Sequence, residues 1–315
     1  MPTKIEWAAE TWNPITGCTP ISEGCANCYA KRMATRLRGR CGYPADDPFK
    51  PTIHRDRLSD PFKMKKPKII FVCSMSDLFV DTGPEGSWPF IDEILRVCND
   101  CPQHTFLILT KRIEAAWYYF NSPVYNGDYL RSKLLGENIW LGVTAENQQR
   151  ANERIPILLQ IPAAVRFVSI EPMLGPVDVW PWLMPVCKMC DGSASVPVDG
   201  GGTPCPRCIN DQGVDPDRLD WVICGGETGP GARPMHPDWA RSLRDQCQSA
   251  GVPFFFKQWG KYCYPDQMPE DTYDAVDVHH NLAGHGDYNK PWGVGKKLAG
   301  RLLDDEEWNQ YPDQR

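Results

Sequence analysis

Two groups of cysteines have the spacing of ligands. Cys18, Cys25 and Cys28 form a Cys-x6-Cys-x2-Cys run within the stretch GCTPISEGCANCY that begins at Gly17. Three thiolates on one short loop can hold three corners of a cubane [4Fe-4S] cluster and leave the fourth iron open to a substrate or cofactor. A zinc ion completed by a distant fourth ligand, or simple burial, is the other reading of the same three residues. The second group pairs Cys187-x2-Cys190 with Cys205-x2-Cys208. Two such knuckles, one after the other, predict a four-thiolate structural zinc site, with an auxiliary iron–sulfur cluster as the rival. The enclosed residues 191–204 are rich in Gly, Ser and Pro. They hold too little apolar surface to fold unaided, and a bound metal would supply the missing folding energy.

The chain has 14 cysteines in 315 residues and a formal net charge of −6. No apolar run is long enough to span a bilayer, and the first residues lack a basic stretch followed by an apolar one. A cytoplasmic protein is therefore expected (host cytoplasm if phage-encoded), where thiols serve as metal ligands more often than as disulfides. A hydrophobic fraction of 42% excludes wholesale disorder. Cys98 and Cys101 make an unpaired knuckle at a helix end, for which ordinary burial is expected, and Cys41, Cys73, Cys224, Cys247 and Cys263 stand alone. His279, His280 and His285 fall in a turn-rich acidic stretch that reads as an exposed loop.

Residues that do chemistry need elements to hold them. Short apolar runs at 68–73, 105–109, 139–143, 166–170, 221–224 and 253–256 are rich in β-branched and aromatic residues and read as buried strands. Segments with helical spacing lie between them, such as Pro89–Cys101 and Asp238–Ala250, the latter preceded by Pro237 and stopped by Gly251. Strands alternating with helices imply right-handed crossovers and a parallel sheet. Each strand ends in polar residues: Ser74-Met75-Ser76-Asp77, Thr110-Lys111-Arg112, Thr144-Ala145-Glu146-Asn147, Glu171-Pro172, Gly225-Gly226-Glu227 and Lys257-Gln258. In parallel α/β proteins the carboxyl ends of the strands form the ligand-binding face, so these residues predict one shared site.

Trp12-Asn13-Pro14, the three cysteines and the strand-end series together resemble the radical S-adenosylmethionine (radical SAM) superfamily, and within it a phage-associated branch. The resemblance runs from Trp7 to about Trp259 and includes 295–303 (GKKLAGRLL). Its most specific phrases are SMSDLF at 74–79, LTKR at 109–112, GGETGPGARP at 225–234 and FKQWG at 256–260. The commonest superfamily spacing is Cys-x3-Cys-x2-Cys, whereas the first gap here is six. Ser74-Met75-Ser76-Asp77 stands where Gly-Gly-Glu is usual.

The resemblance implies an α/β fold, a partial (β/α)6 TIM-like barrel over 1–263. A zinc-knuckle insertion would occupy 184–213, and an irregular C-terminal extension 264–315. It implies that Cys18, Cys25 and Cys28 hold a [4Fe-4S] cluster whose open iron binds S-adenosylmethionine. One-electron reduction, from a flavodoxin- or ferredoxin-like donor, would yield methionine and a 5′-deoxyadenosyl radical. The cofactor-binding candidates are Tyr29, Ser74, Ser76, Asp77, Lys111, Thr144, Glu146, Asn147, Gly225 and Gly226. Among them Glu146 and Asn147 would suit a ribose, and Lys111, or its neighbour Arg112, a carboxylate or phosphate. Glu171, Glu227 and Lys257 are the catalytic candidates, for orienting substrate or moving protons.

The implied substrate is a nucleotide or a phage DNA base, for example an amino-acid-modified thymine that is isomerised or rearranged. Residues 31–68 carry twelve Lys and Arg against four Asp, which suits a polyanion. Two other readings stay open here. One is a zinc-stabilised nucleic-acid-binding protein without redox chemistry; the other is a radical SAM enzyme acting on a protein or small metabolite.

Overall fold

The structure is a computed structural model and describes residues 3, 5–83, 87–123, 131–187, 189–198, 201–206, 208, 217–268 and 290–313. In chain order the strands are β1 (Glu10–Trp12), β2 (Ile15–Thr16), β3 (Thr52–Ile53), β4 (Ile69–Val72), β5 (Thr105–Thr110), β6 (Ile139–Thr144), β7 (Val165–Ile170), β8 (Ser195–Val198), β9 (Gly201–Pro204), β10 (Trp221–Gly225) and β11 (Phe254–Gln258). The helices are α1 (Tyr29–Arg36), α2 (Ser87–Asn99), α3 (Ile113–Phe120), α4 (Gln148–Leu158), α5 (Trp180–Leu183), α6 (Pro237–Ala250) and α7 (Lys296–Ala299). All six strands read from the sequence are present within a residue or two, and β1 is an additional seventh strand of the same sheet. The three histidines at 279, 280 and 285 lie outside the described residues.

The main sheet has the order β1-β4-β5-β6-β7-β10-β11, and every pairing is parallel. Its strands are apolar on both faces, as parallel strands covered on both sides must be. Alternate residues divide between two cores. Phe106, Ile108, Leu141, Val168, Ile170, Val222, Phe254 and Phe256 pack with the helices, against Phe90, Ile94, Ala116, Ile155, Ala240 and Leu243. Leu107, Trp140, Phe167, Trp221, Ile223 and Phe255 face the other way and pack with Trp7.

The expected TIM-like barrel is not formed: the sheet is open, with β1 at one edge and β11 at the other. Two features account for this. The C-terminal segment occupies the edge of β11, where Phe256 N donates to Trp308 O at 2.9 Å and Gln310 N donates to Phe254 O at 3.2 Å. Those are the backbone groups a closing strand would need. The face away from the helices is also filled by large rings around Trp221. Their centroids lie at 5.2 Å for Tyr311, 5.6 Å for Phe167, 6.0 Å for Trp140, 6.1 Å for Phe255 and 6.5 Å for Trp7. Side chains of this volume take the space that a small closed barrel fills with its own interior layers.

The described part of the C-terminal extension is thus part of the fold. Trp292, Ala299 and Leu303 are buried in the helix-side core. Asp304 bridges Arg241 and Arg244 of α6 at 2.8 and 2.6 Å. Bonds from Arg241, Arg244 and Gln267 outweigh burial and hold the Asp304 carboxyl down at about 2.

At the carboxyl end of β10, a Cβ added to Gly226 would stand 1.8 Å from the Trp259 carbonyl oxygen. Main chain meets main chain there, with no flexible side chain to yield. G226A should therefore lose about 3 kcal/mol or more of stability, read as a lowered urea midpoint at unchanged slope. Wild-type stability in G226A would show that the two strand ends are not in contact.

Candidate metal centres

The loop carrying Cys18, Cys25 and Cys28 follows β1 and lies across the carboxyl ends of the main strands. Four strand ends contribute ties. From β4, Met75 O accepts from Gly17 N at 3.0 Å, and Ser76 Oγ donates to Gly17 O. Beyond β5, Arg112 Nη2 donates to Thr19 O at 2.5 Å and to Thr19 Oγ1 at 2.7 Å. After β6, Asn147 Nδ2 donates to Glu23 Oε1, and Arg150 pairs with Glu23 at 3.0 Å. Past β10, Asn27 Nδ2 donates to Glu227 Oε2 at 3.1 Å and to Gly231 O at 2.7 Å.

Glu146 is the deepest of these anchors, with no solvent exposure. Its Oε1 accepts from Ser22 Oγ and from Lys111 Nζ, both at 2.5 Å, and its Oε2 accepts from Arg154 Nη1 at 2.9 Å. Burial pushes the Glu146 carboxyl up, but the charges of Lys111 and Arg154 outweigh it and the net direction is down. Both oxygens of this residue, read above as a ribose acceptor, are thus engaged within the protein. The loop sits so close that a Cβ on Gly24 would lie 2.4 Å from Glu146 Oε1.

Cations face two of the three sulfurs. Lys111 Nζ is 3.9 Å from Cys25 Sγ, and Arg112 Nη2 is 3.7 Å from Cys18 Sγ. Burial raises the Cys25 thiol, but the Lys111 charge and backbone N–H groups reverse this and lower it overall. Burial and Asp77 prevail over Arg112 at Cys18, which is raised. A single ion needs convergent donors, whereas a cubane binds each thiolate through a different iron.

The other site candidates surround the loop. Tyr29 opens α1 and its hydroxyl donates to Ser74 O at 2.8 Å, while its ring is 43% exposed. Ser74 Oγ donates to Asn13 Oδ1 at 3.2 Å. The Asp77 carboxylate accepts from Thr110 Oγ1, Lys111 N and Phe79 N at 2.8 to 3.0 Å, so it ties the ends of β4 and β5 together. The Thr144 carbonyl accepts from Arg154, and Asn147 Oδ1 caps α4 by accepting from Arg150 N. Glu227 receives Arg233 through both oxygens, at 2.6 and 2.9 Å. Glu171 and Lys257 form a pair of their own, with Nζ 2.7 and 2.9 Å from the two carboxylate oxygens. Gly225 lies against Glu171: a Cβ there would be 3.3 Å from its carboxyl carbon.

The second cysteine group converges. Cys187 and Cys205 sulfurs are 3.8 Å apart and those of Cys190 and Cys208 3.3 Å, and all four lie within 4.8 Å of one another. The edge of a tetrahedron with ~2.3 Å metal–sulfur bonds is roughly 3.8 Å, so the group could hold one metal ion. The antiparallel β8–β9 hairpin spans the two knuckles. Three of these cysteines form a small core of their own, joined by Val196 and Cys208 and separate from the sheet's two cores.

The family model described as "Protein of unknown function (DUF5131)" matches residues 2–312. The chain belongs to that family. No curated protein and no solved structure matches it. Reasoning from the sequence missed several residues of this DUF5131 site: Ser22, Glu23, Asn27, Arg150, Arg154 and Arg233. Arg154 and Arg150 sit on α4 downstream of a strand end, and only the helical face they share could have pointed back to the loop. Cys73, Cys98, Cys101, Cys224, Cys247 and Cys263 are buried, whereas Cys41 is exposed.

Two outcomes test this architecture. E146Q keeps the shape but leaves Lys111 and Arg154 without their counter-charge, and should cost about 3 kcal/mol in urea unfolding. At Glu23, burial raises the carboxyl but bonds from Arg150, its own backbone and Asn147 hold it at about 2, below the ordinary 4.5. A depressed carboxyl stabilises the fold above its unfolded value, and that contribution is lost as pH falls from about 4.5 toward 2. E23Q should therefore be less stable than wild type at pH 7, with the difference closing across that window in denaturant titrations. A difference independent of pH would remove the ion pair as its cause.

Proposed function

We propose that this chain is a radical SAM enzyme: an iron–sulfur protein acting on a nucleotide or DNA base, with a structural zinc in its cysteine-knuckle insertion. The observation that carries the reading is the position of the Cys18–Cys28 loop. It is clamped to the ends of four parallel strands, with Lys111 and Arg112 turned toward its sulfurs. Bound there, a [4Fe-4S] cluster would supply the electron that cleaves S-adenosylmethionine to methionine and a 5′-deoxyadenosyl radical.

The chain's own part is to hold and to exclude. Cys18, Cys25 and Cys28 would hold the cluster by three of its irons, leaving the fourth for S-adenosylmethionine. Tyr29, an exposed large side chain at the start of α1, offers apolar surface beside the loop. Glu171 and Lys257, paired with each other and one strand beyond, are the groups free of the loop's own clamps that can orient a polar substrate or hold a proton.

The nucleic-acid assignment rests on a smaller cationic surface than composition suggests. Arg32, Arg38, Arg40 and Arg57 donate to backbone carbonyls, and Arg55, Lys63 and Lys68 pair with Glu93, Asp60 and Glu10. Lys31, Arg36, Arg38, Arg40, Lys50, Lys65 and Lys66 remain exposed for a polyanion, the bonds of Arg38 and Arg40 to neutral carbonyls leaving their charge in place.

Anaerobic purification with metal analysis tests the proposal. The expected protein is brown, with about four irons and four sulfides per chain and one zinc. C25S should lose the iron and keep the zinc, and C205S should lose the zinc and keep the iron. With dithionite the wild type should form 5′-deoxyadenosine, faster when nucleotide or phage DNA is present. A colourless protein that holds only zinc overturns the enzyme reading. A brown protein stimulated by peptides but not by nucleotide or DNA overturns the substrate class.

A further inference from the structure

Lys111 and Arg112 are adjacent, follow the end of β5, and reach different cysteines of the same loop. Lys111 Nζ stands 3.9 Å from Cys25 Sγ and Arg112 Nη2 3.7 Å from Cys18 Sγ. Glu146 neutralises Lys111 only in part, and among the described residues no carboxylate pairs with Arg112. Lys111 shares its one carboxylate, Glu146, with Arg154, so two positive charges face a single negative one. Arg112 makes its other contacts to neutral oxygens of Thr19, and its Nε is buried with no acceptor. Asp77, the carboxylate whose charge reaches Cys18, is itself engaged by Thr110, Lys111 N and Phe79 N. Cations therefore touch two of the three loop sulfurs, Cys25 through Lys111 and Cys18 through Arg112, although nothing about ligation as such requires a cation beside a thiolate.

We propose that Lys111 and Arg112 are positioning residues that set the reduction potential of the cluster held by Cys18, Cys25 and Cys28, by donating charged N–H groups to two of its three thiolates. The inference rests on the cluster reading above. A one-electron reduction adds negative charge to the cluster and its sulfurs. Cations in contact with those sulfurs stabilise the reduced form more than the oxidised form, and so raise the potential. The effect belongs to side-chain charge: a substitution that preserves the charge preserves the potential, and one that removes it makes the cluster harder to reduce.

The test is a potentiometric titration followed by electron paramagnetic resonance, on full-length protein reconstituted anaerobically without S-adenosylmethionine. The variants are K111M, K111R, R112Q and R112K. In K111M and in R112Q the ratio of reduced to oxidised cluster at a fixed solution potential should fall about tenfold, which is about 59 mV for one electron. K111R and R112K should titrate with the wild type. Neutral variants that carry a full cluster at the wild-type potential overturn the inference and leave the cluster reading intact. So does a K111R shift as large as that of K111M, which would mark a purely steric role. If both neutral variants fail to take up a cluster while K111R and R112K succeed, the cations serve assembly and the inference is again overturned. A wild-type chain that takes up no cluster overturns the reading beneath it as well.

Discussion

A carboxylate removed from water must be surrounded by donors, and Glu146 imposes that condition on the whole carboxyl edge of the sheet. Its three partners come from different places: Ser22 from the cysteine loop, Lys111 from beyond β5 and Arg154 from α4. None can move off without leaving charge unpaired in a site closed to solvent. The depth of the loop follows from this, as does the need for glycine at position 24. So does the placement of Lys111, which reaches Cys25 Sγ from the same anchored position.

The open sheet gives that edge its shape. In a closed barrel the strand ends would ring a central mouth; here they form an arc, and the loop bridges it from β4 to β10. The C-terminal segment covers the exposed edge of β11 through Trp308 and Gln310, and Tyr311 joins the aromatic cluster around Trp221. An uncovered parallel edge would present unpaired backbone groups to any passing strand, so the cover stabilises the sheet and prevents edge pairing together. The acidic composition of residues 264–315 fits this role, since Asp304 and Asp266 meet Arg241 on α6.

The two cysteine groups differ in how they depend on the rest of the chain. Cys187, Cys190, Cys205 and Cys208 bring their sulfurs together inside a hairpin module whose small core they largely make themselves. A metal bound there would act on local folding. Cys18, Cys25 and Cys28 have little apolar packing of their own and are held by side chains from four strand ends. Their arrangement is a property of the finished sheet, and a change at Glu146 or Glu227 reaches them through hydrogen bonds.

The sequence by itself determined the strands, because a parallel strand covered on both faces must be apolar at nearly every position, and such runs are visible without a fold. It also marked the helix that ends at Gly251, the four-cysteine knuckle spacing, and the polar residues at each strand end. Closure of the sheet was not legible. It depends on which edge a distant segment covers and on how much volume Trp221 and its neighbours occupy, and neither is encoded in local periodicity. Nor were the partners of the strand-end residues legible: Ser22 and Glu146 are 124 residues apart. Chemical type can nominate a carboxylate as a ligand, but only the tertiary structure decides whether its oxygens are free or already hold the chain together, because burial and charge pairing are fixed by neighbours in space.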